Sequence, residues 1–206
     1  MITGASIRRM RRLRSMKQSH LAELLGVTQA TVSRWESGAR PDPEQAVKIE
    51  RLLSVPLESS AHAALRRLVE TSAAPVHLVC DATHRLLAAS PVREANWGMS
   101  ALELRGQSLW CFASDEVRQA EAQLDEAGWY DDAAPAVAAW TDDNGSKQLH
   151  IVPQLFLWER MVLDDGTVVR IDSACSPDHL LRFRPDVKML SPGRADIAPQ
   201  ALSRAA

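Results

Sequence analysis

The run Gln18-Ser19-His20-Leu21-Ala22-Glu23-Leu24-Leu25-Gly26-Val27-Thr28-Gln29-Ala30-Thr31-Val32-Ser33-Arg34-Trp35-Glu36-Ser37-Gly38 decides how this chain folds. It reads as two short helices joined by a tight reversal. Leu21, Ala22, Leu24 and Leu25 recur at helical spacing and stop at Gly26, which supplies the positive φ a reversal needs. Thr28 can offer its hydroxyl to the free N–H groups that open the next helix. In that helix Val32 and Trp35 face inward, toward Leu21, Leu25 and Val27. Its other side carries Gln29, Ala30, Ser33 and Arg34, small or hydrogen-bonding side chains near an exposed N-terminal end. A helix that enters the major groove of DNA needs that combination.

Working outward, Ile7, Met10 and Leu13 predict a helix before this run. Ala46, Val47, Ile49, Leu52 and Leu53 predict another after Pro41 and Pro43. Ser54-Val55-Pro56 breaks the pattern, and Leu57, Ala61, Ala64, Leu65 and Leu68 then mark an amphipathic connecting helix. Charge divides the chain at the same place. Residues 1–55 hold ten Lys/Arg against five Asp/Glu, and the rest holds fourteen against twenty-one, within a net charge of −2. A basic segment joined to an acidic body points to an arm for a polyanion.

The helical segment resembles the helix-turn-helix of the Cro/phage-repressor type, often called the Xre family. Gln18, Leu21-Ala22, Gly26-Val27, Ser33-Arg34-Trp35-Glu36, Gly38 and Pro41 carry the resemblance over about residues 5–55. It implies that the third helix reads bases through Gln29, Ala30, Ser33 and Arg34. Gln18 would meet phosphate at the start of the second helix, where free N–H groups favour an anion. Lys17, Thr28, Thr31 and Arg40 are the other expected phosphate contacts. Lys17 departs from the family, which places a small capping residue there; it cannot cap, yet it can reach a phosphate. Arg8, Arg9, Arg11, Arg12 and Arg14 cannot all share one helix face at 100° per residue, so only one or two are expected near the backbone of DNA.

The body beyond Pro75 changes texture. Val76-His77-Leu78-Val79-Cys80 and Leu86-Leu87-Ala88-Ala89 read as strands around the turn Asp81-Ala82-Thr83-His84. Residues 93–127 are helical, with an acidic helix from about Asp115 to Ala127. From Val137 to Ala174 the pattern is β, with Asn144-Gly145 and Asp165-Gly166 as hairpin signals. This order resembles a PAS domain, a five-stranded antiparallel sheet with helices on one face, and implies a sensor or dimerisation module. No flavin-type cysteine motif is present, and residues 114–127 lack the histidine a haem-binding relative would use. His77 and Cys80 would point to opposite faces of a strand, so no metal site is expected there. Trp97, Trp110, Trp129, Trp140 and Trp158 serve the core or line a pocket for a small apolar ligand. Leu149, Ile151, Leu155 and Leu157 alternate with Val152, Phe156 and Trp158, which predicts a strand buried on both faces with a second copy covering one of them.

The expected fold class is therefore α+β. Residues 1–55 form an all-α helix-turn-helix bundle, 56–72 a linker helix, 73–180 the PAS-like domain and 181–206 a disordered tail rich in Ala, Pro, Arg and Ser. The expected function is a sequence-specific transcriptional regulator. It would be a homodimer on an inverted-repeat operator of double-stranded DNA, with signal sensing in the body; the alternative is a DNA-binding antitoxin whose body binds a protein partner. No nucleophile-elbow, phosphate-loop or zinc-protease motif occurs, so no catalytic residue, enzyme activity, metal or cofactor is expected. With no apolar run of about 18 residues, no secretory signal and three scattered cysteines, the chain reads as a cytoplasmic protein with no membrane contact.

Overall fold

The structure is a computed structural model that describes residues 3–53, 60–163, 165–183 and 187–190. Helix α1 (Gly4–Leu13) opens on a reciprocal cap in which Thr3 and Ser6 each accept from the other's backbone N–H. Helix α2 (Gln18–Leu25) ends at Gly26 in the left-handed region, φ +67°. Thr28 caps α3 (Gln29–Glu36) by accepting from the Thr31 N–H, and Asp42 caps α4 (Pro43–Leu53) through the Gln45 N–H. Each of these devices acts within a few residues, and all four helices follow the expected order.

Helix α5 (Ser60–Glu70) turns a different face inward from the one the sequence predicts. His62 and Val69 are buried and Leu65 is half-buried, whereas Ala64 is exposed and Leu68 is 69% exposed. Leu57 and the Ala61 side chain lie outside the described residues. The buried set 62, 65, 69 is one helical stripe laid against the sheet; hydropathy alone favoured the neighbouring stripe because His62 does not count as apolar.

Strands β1 (Val76–Cys80) and β2 (Leu86–Ala89) precede helices α6 (Pro91–Trp97), α7 (Ala101–Leu104) and α8 (Asp115–Gln123). A 3-10 turn at Leu109–Phe112 lies between the last two. Strands β3 (Val137–Thr141), β4 (Gln154–Val162) and β5 (Val168–Cys175), helix α9 (Pro177–Phe183) and a short β6 (Lys188–Met189) complete the described chain. The sheet order is β2-β1-β5-β4-β3-β6. Five strands are antiparallel neighbours, and β6 adds a sixth, parallel to β3. The expectation of five strands is corrected by that addition. It also corrects the disordered tail, because Leu190 is buried beside Val137 and Phe156 and its N–H donates to the Ala138 carbonyl. Residues 191–206 lie outside the described residues.

Helices cover both faces of the sheet, not one. His77 and Val79 of β1 and Arg170 and Asp172 of β5 face α6–α8 across a cavity. Leu78, Cys80 and Val169 face the other way and share one apolar cluster with Ile7 and Met10 of α1 and Val69 of α5. His77 and Cys80 thus lie on opposite faces, as the strand geometry requires. In β4, Phe156 and Trp158 pack with α8, while Leu155 and Leu157 pack with Leu180 of α9 and half-buried Val187. The doubly apolar strand is therefore central in the sheet and covered on its second face by its own chain, which removes the reason for placing a partner there. Strand β4 also begins only at Gln154. The Asn144-Gly145 pair sits in the preceding loop, where Asn144 Nδ2 donates to the carbonyls of Phe112 and Leu149 and Oδ1 accepts from the Ile151 N–H. Asn144 clamps a loop where a tight hairpin was expected. The Asp165-Gly166 turn does join two paired strands, β4 and β5.

Candidate nucleic-acid interface and buried charge cluster

Val32 and Trp35 anchor α3 against Leu21 and Leu25, and this leaves its other face outward. Gln29, Ala30 and Arg34 are exposed and Ser33 is half-buried. Lys17, Thr28 and Arg40 are exposed, while Gln18 and Thr31 are half-buried. Lys17 makes no side-chain cap, as expected. The Thr28 and Thr31 hydroxyls lie 2.9 Å apart, and Arg34 reaches the Thr31 hydroxyl at 3.5 Å.

A relay of hydrogen bonds fixes two of these side chains. Arg11 grips Glu36 with a two-pronged contact at 2.7 and 3.0 Å. Glu36 also accepts from Gln18 Nε2 at 2.8 Å, and Gln18 Oε1 accepts from Gln29 Nε2 at 2.6 Å. Burial alone would raise the Glu36 carboxyl; the bonds from Arg11 and Gln18 outweigh it and bring the pKa below the usual carboxylate value. Gln29 spends one of its two amide hydrogens on Gln18. The second hydrogen and the Oε1 acceptor stay free, which is the pair needed to read adenine N7 and N6. Sequence reasoning named Gln18 and Gln29 but missed the residues that aim them, Arg11 and Glu36.

Helix α1 is pressed close behind α3. A Cβ added at Gly4 would collide with the Trp35 carbonyl oxygen. Gly4→Ala should therefore push α1 off α3 and destabilise the protein by about 1–3 kcal/mol. Thermal unfolding of the variant checks this, and an unchanged midpoint would contradict the close approach.

All four arginines of α1 serve the protein interior or acidic partners, and the fifth of the basic run, Arg14, caps its end. Besides Arg11, Arg9 is buried and paired with Glu121 of α8, and its Nη1 lies 3.0 Å from His84 Nε2. Arg12 pairs with Asp125 and stacks over Tyr130, and Arg8 reaches Asp125 at 3.5 Å. Arg14 is exposed. Arg9 enters a cluster that sequence reasoning did not find. Arg170 donates from Nε to Asp81 at 2.6 Å and from Nη1 to Glu121 at 2.7 Å, between the rings of Trp129 and Trp158. Asp81, fully buried, also accepts from Trp129 Nε1 at 2.9 Å. Nearby, Arg93 lies 3.4 Å from Asp172, which accepts from Trp158 Nε1 at 2.7 Å.

Burial would raise the Glu121 carboxyl, but the charges of Arg170 and Arg9 overcome this and hold it well below its usual value. Burial would also lower the Arg170 pKa, and Asp81 with Glu121 reverses the sign. His77 and His84 are both pushed down to about 4, first by burial and then by neighbouring arginines, so both are neutral at pH 7. His84 sits in the left-handed region, φ +54°, at the tip of the β1–β2 turn. The sequence did carry one signal for this cluster: Asp81, Arg170 and Asp172 interrupt or end strands that are otherwise apolar.

Residues 7–59 match the family described as Helix-turn-helix, about a quarter of the chain. The geometry of α2 and α3 and this match together support a DNA-binding helix-turn-helix of the Cro type, as in Xre-like transcription regulators, within residues 7–59, followed by a mixed α+β region. Comparison with curated proteins finds no match to the chain. Among the described residues, no group of three or more His, Cys, Asp and Glu could hold a metal ion, and no helix is long and apolar enough to cross a membrane.

Proposed function

We propose that the chain is a cytoplasmic, sequence-specific transcriptional regulator that binds an inverted-repeat operator as a homodimer, with a PAS-like sensor body and no enzymatic role. The observation that carries the DNA-reading part is the relay from Arg11 through Glu36 and Gln18 to Gln29, which holds a hydrogen-bonding pair on the exposed face of α3. Five antiparallel strands with helices between the second and third support the PAS-like reading. The dimer rests on exposed Leu68 and Leu102, whose helices α5 and α7 are tied together by Arg105 and Glu70 at 3.5 Å.

Arg34 suits guanine O6 and N7. Arg34→Ala should cost about 1–3 kcal/mol on the preferred site and relax preference at one base pair. Lys17→Ala should weaken binding to all sequences alike and flatten its salt dependence, whereas Gln18→Ala, which removes an uncharged contact and releases Gln29, should leave the salt slope in place and weaken preference at the base Gln29 reads. The test is quantitative binding to a duplex selected from random pools and to its mismatched forms at two salt concentrations. An Arg34→Ala protein that loses affinity equally on every duplex would sink the base-reading assignment.

A further inference from the structure

The cavity between the sheet and helices α6–α8 has a volume of about 90 Å³. That is room for a few waters or one very small organic molecule. Its wall is largely aromatic and aliphatic, including Trp97, Phe112, Phe156 and Trp158, with a few polar groups between them. The charges in and around it cancel: Arg9, Arg93 and Arg170 stand against Asp81, Glu121 and Asp172. An anion would face Glu121 and Asp172 across a mostly apolar space, and a cation would face Arg93 and Arg170. Either would add an uncompensated charge to a balanced interior. What remains unused is donor capacity. Arg93, whose side chain is buried, keeps an Nε with no hydrogen-bond partner. A ligand for this wall needs no charge, an apolar body and an oxygen acceptor.

Two wall residues also hold the DNA-binding module. Glu121 and His84 line the cavity, and both contact Arg9 of α1. Helix α1 in turn carries Arg11, which starts the relay to Gln18 and Gln29. We propose that the cavity is the effector site, that its ligand is a very small uncharged molecule bearing an oxygen acceptor, and that its filling is read by the DNA-binding helices through Glu121, His84 and Arg9. This rests on the reading of the chain as a DNA-binding regulator, and it adds the ligand class and the residues that connect the two parts.

The experiment uses the full chain and three probes of two or three carbons: acetone, ethylammonium and acetate. Ligand-observed NMR titration should show saturable binding of the ketone, with both ions at least about tenfold weaker. Ala113→Leu and Val117→Phe each fill the cavity from its wall and should abolish ketone binding while leaving the unfolding midpoint in place. Saturating ketone should change affinity for the selected duplex at least about threefold, and Glu121→Gln and Arg9→Met should each remove that change. Tighter binding of either ion, binding that survives both filling variants, or no binding of the ketone would overturn the site. Ketone binding with unchanged DNA affinity would overturn the connection through Arg9. A protein that binds the ketone but no DNA would instead overturn the regulator reading and leave the ligand class standing.

Discussion

Between pH 7 and pH 4 the protein should lose about 6 kcal/mol of stability, at most, through two histidines. His77 and His84 have pKa values of about 4 in the folded chain against an ordinary 6.5. Below pH 6.5 the unfolded chain therefore takes up two protons that the folded chain refuses. The contribution is fully present above pH 6.5 and drains away as pH falls toward 4. Each histidine accounts for about 3 kcal/mol, since one pKa unit corresponds to about 1.4 kcal/mol. The side chains remain 12% and 13% exposed, so solvent softens the penalty and these figures are upper bounds. Glu121 acts in the same direction at lower pH, because its depressed pKa stabilises the fold above the ordinary carboxylate range. A loss of this size approaches the whole stability of a typical domain. Urea unfolding at pH 7, 5.5 and 4.5 would reveal it. His77→Phe should remove about half of the dependence, and His84→Asn should remove a similar share while tolerating the left-handed backbone there. Stability that stays level from pH 7 to 4.5 would show that neither ring is held neutral by its surroundings.

The helix-turn-helix was legible because its determinants are local. Gly26, Thr28 and Asp42 each act within one or two turns, so the sequence states their partners directly. The body was legible in its element types and less so in how they assemble. Hydropathy showed that Leu155 to Trp158 would be buried on both faces, but it could not show that α9 and the segment around Val187 return to cover the second face. That contact joins positions with no local pattern linking them. The same limit hid the charge cluster. Arg9 lies 112 residues from Glu121, and Asp81 lies 89 from Arg170. In sequence, Arg9 is one member of a basic run and looks like part of a solvated or phosphate-facing surface. Its burial follows from the sheet placing Glu121 and His84 against α1. Asn144-Gly145 is the opposite case, a strong local turn signal overridden because Asn144 finds better partners in Phe112, Leu149 and Ile151.

Arg170→Met should cost about 3–5 kcal/mol. The methionine replaces much of the side-chain volume, so the loss comes from the charges left behind. Asp81 is fully buried and would keep only the Trp129 N–H as a side-chain donor, while Glu121 would retain Arg9 and His84. A buried carboxylate stripped of its cation carries most of the desolvation penalty that the pair had offset. This separates Asp81 from Glu121 experimentally. Asp81→Asn in the Arg170→Met background removes the orphaned charge and keeps an oxygen for the Trp129 N–H, so it should restore part of the lost stability. The same Asp81→Asn change in the wild-type chain should destabilise, because it leaves half of the Arg170 compensation missing. Chemical denaturation of the four proteins in this cycle gives the coupling directly. Opposite signs for Asp81→Asn in the two backgrounds are expected. Equal signs and similar sizes would mean that Arg170 contributes packing against Trp129 and Trp158 and little charge compensation.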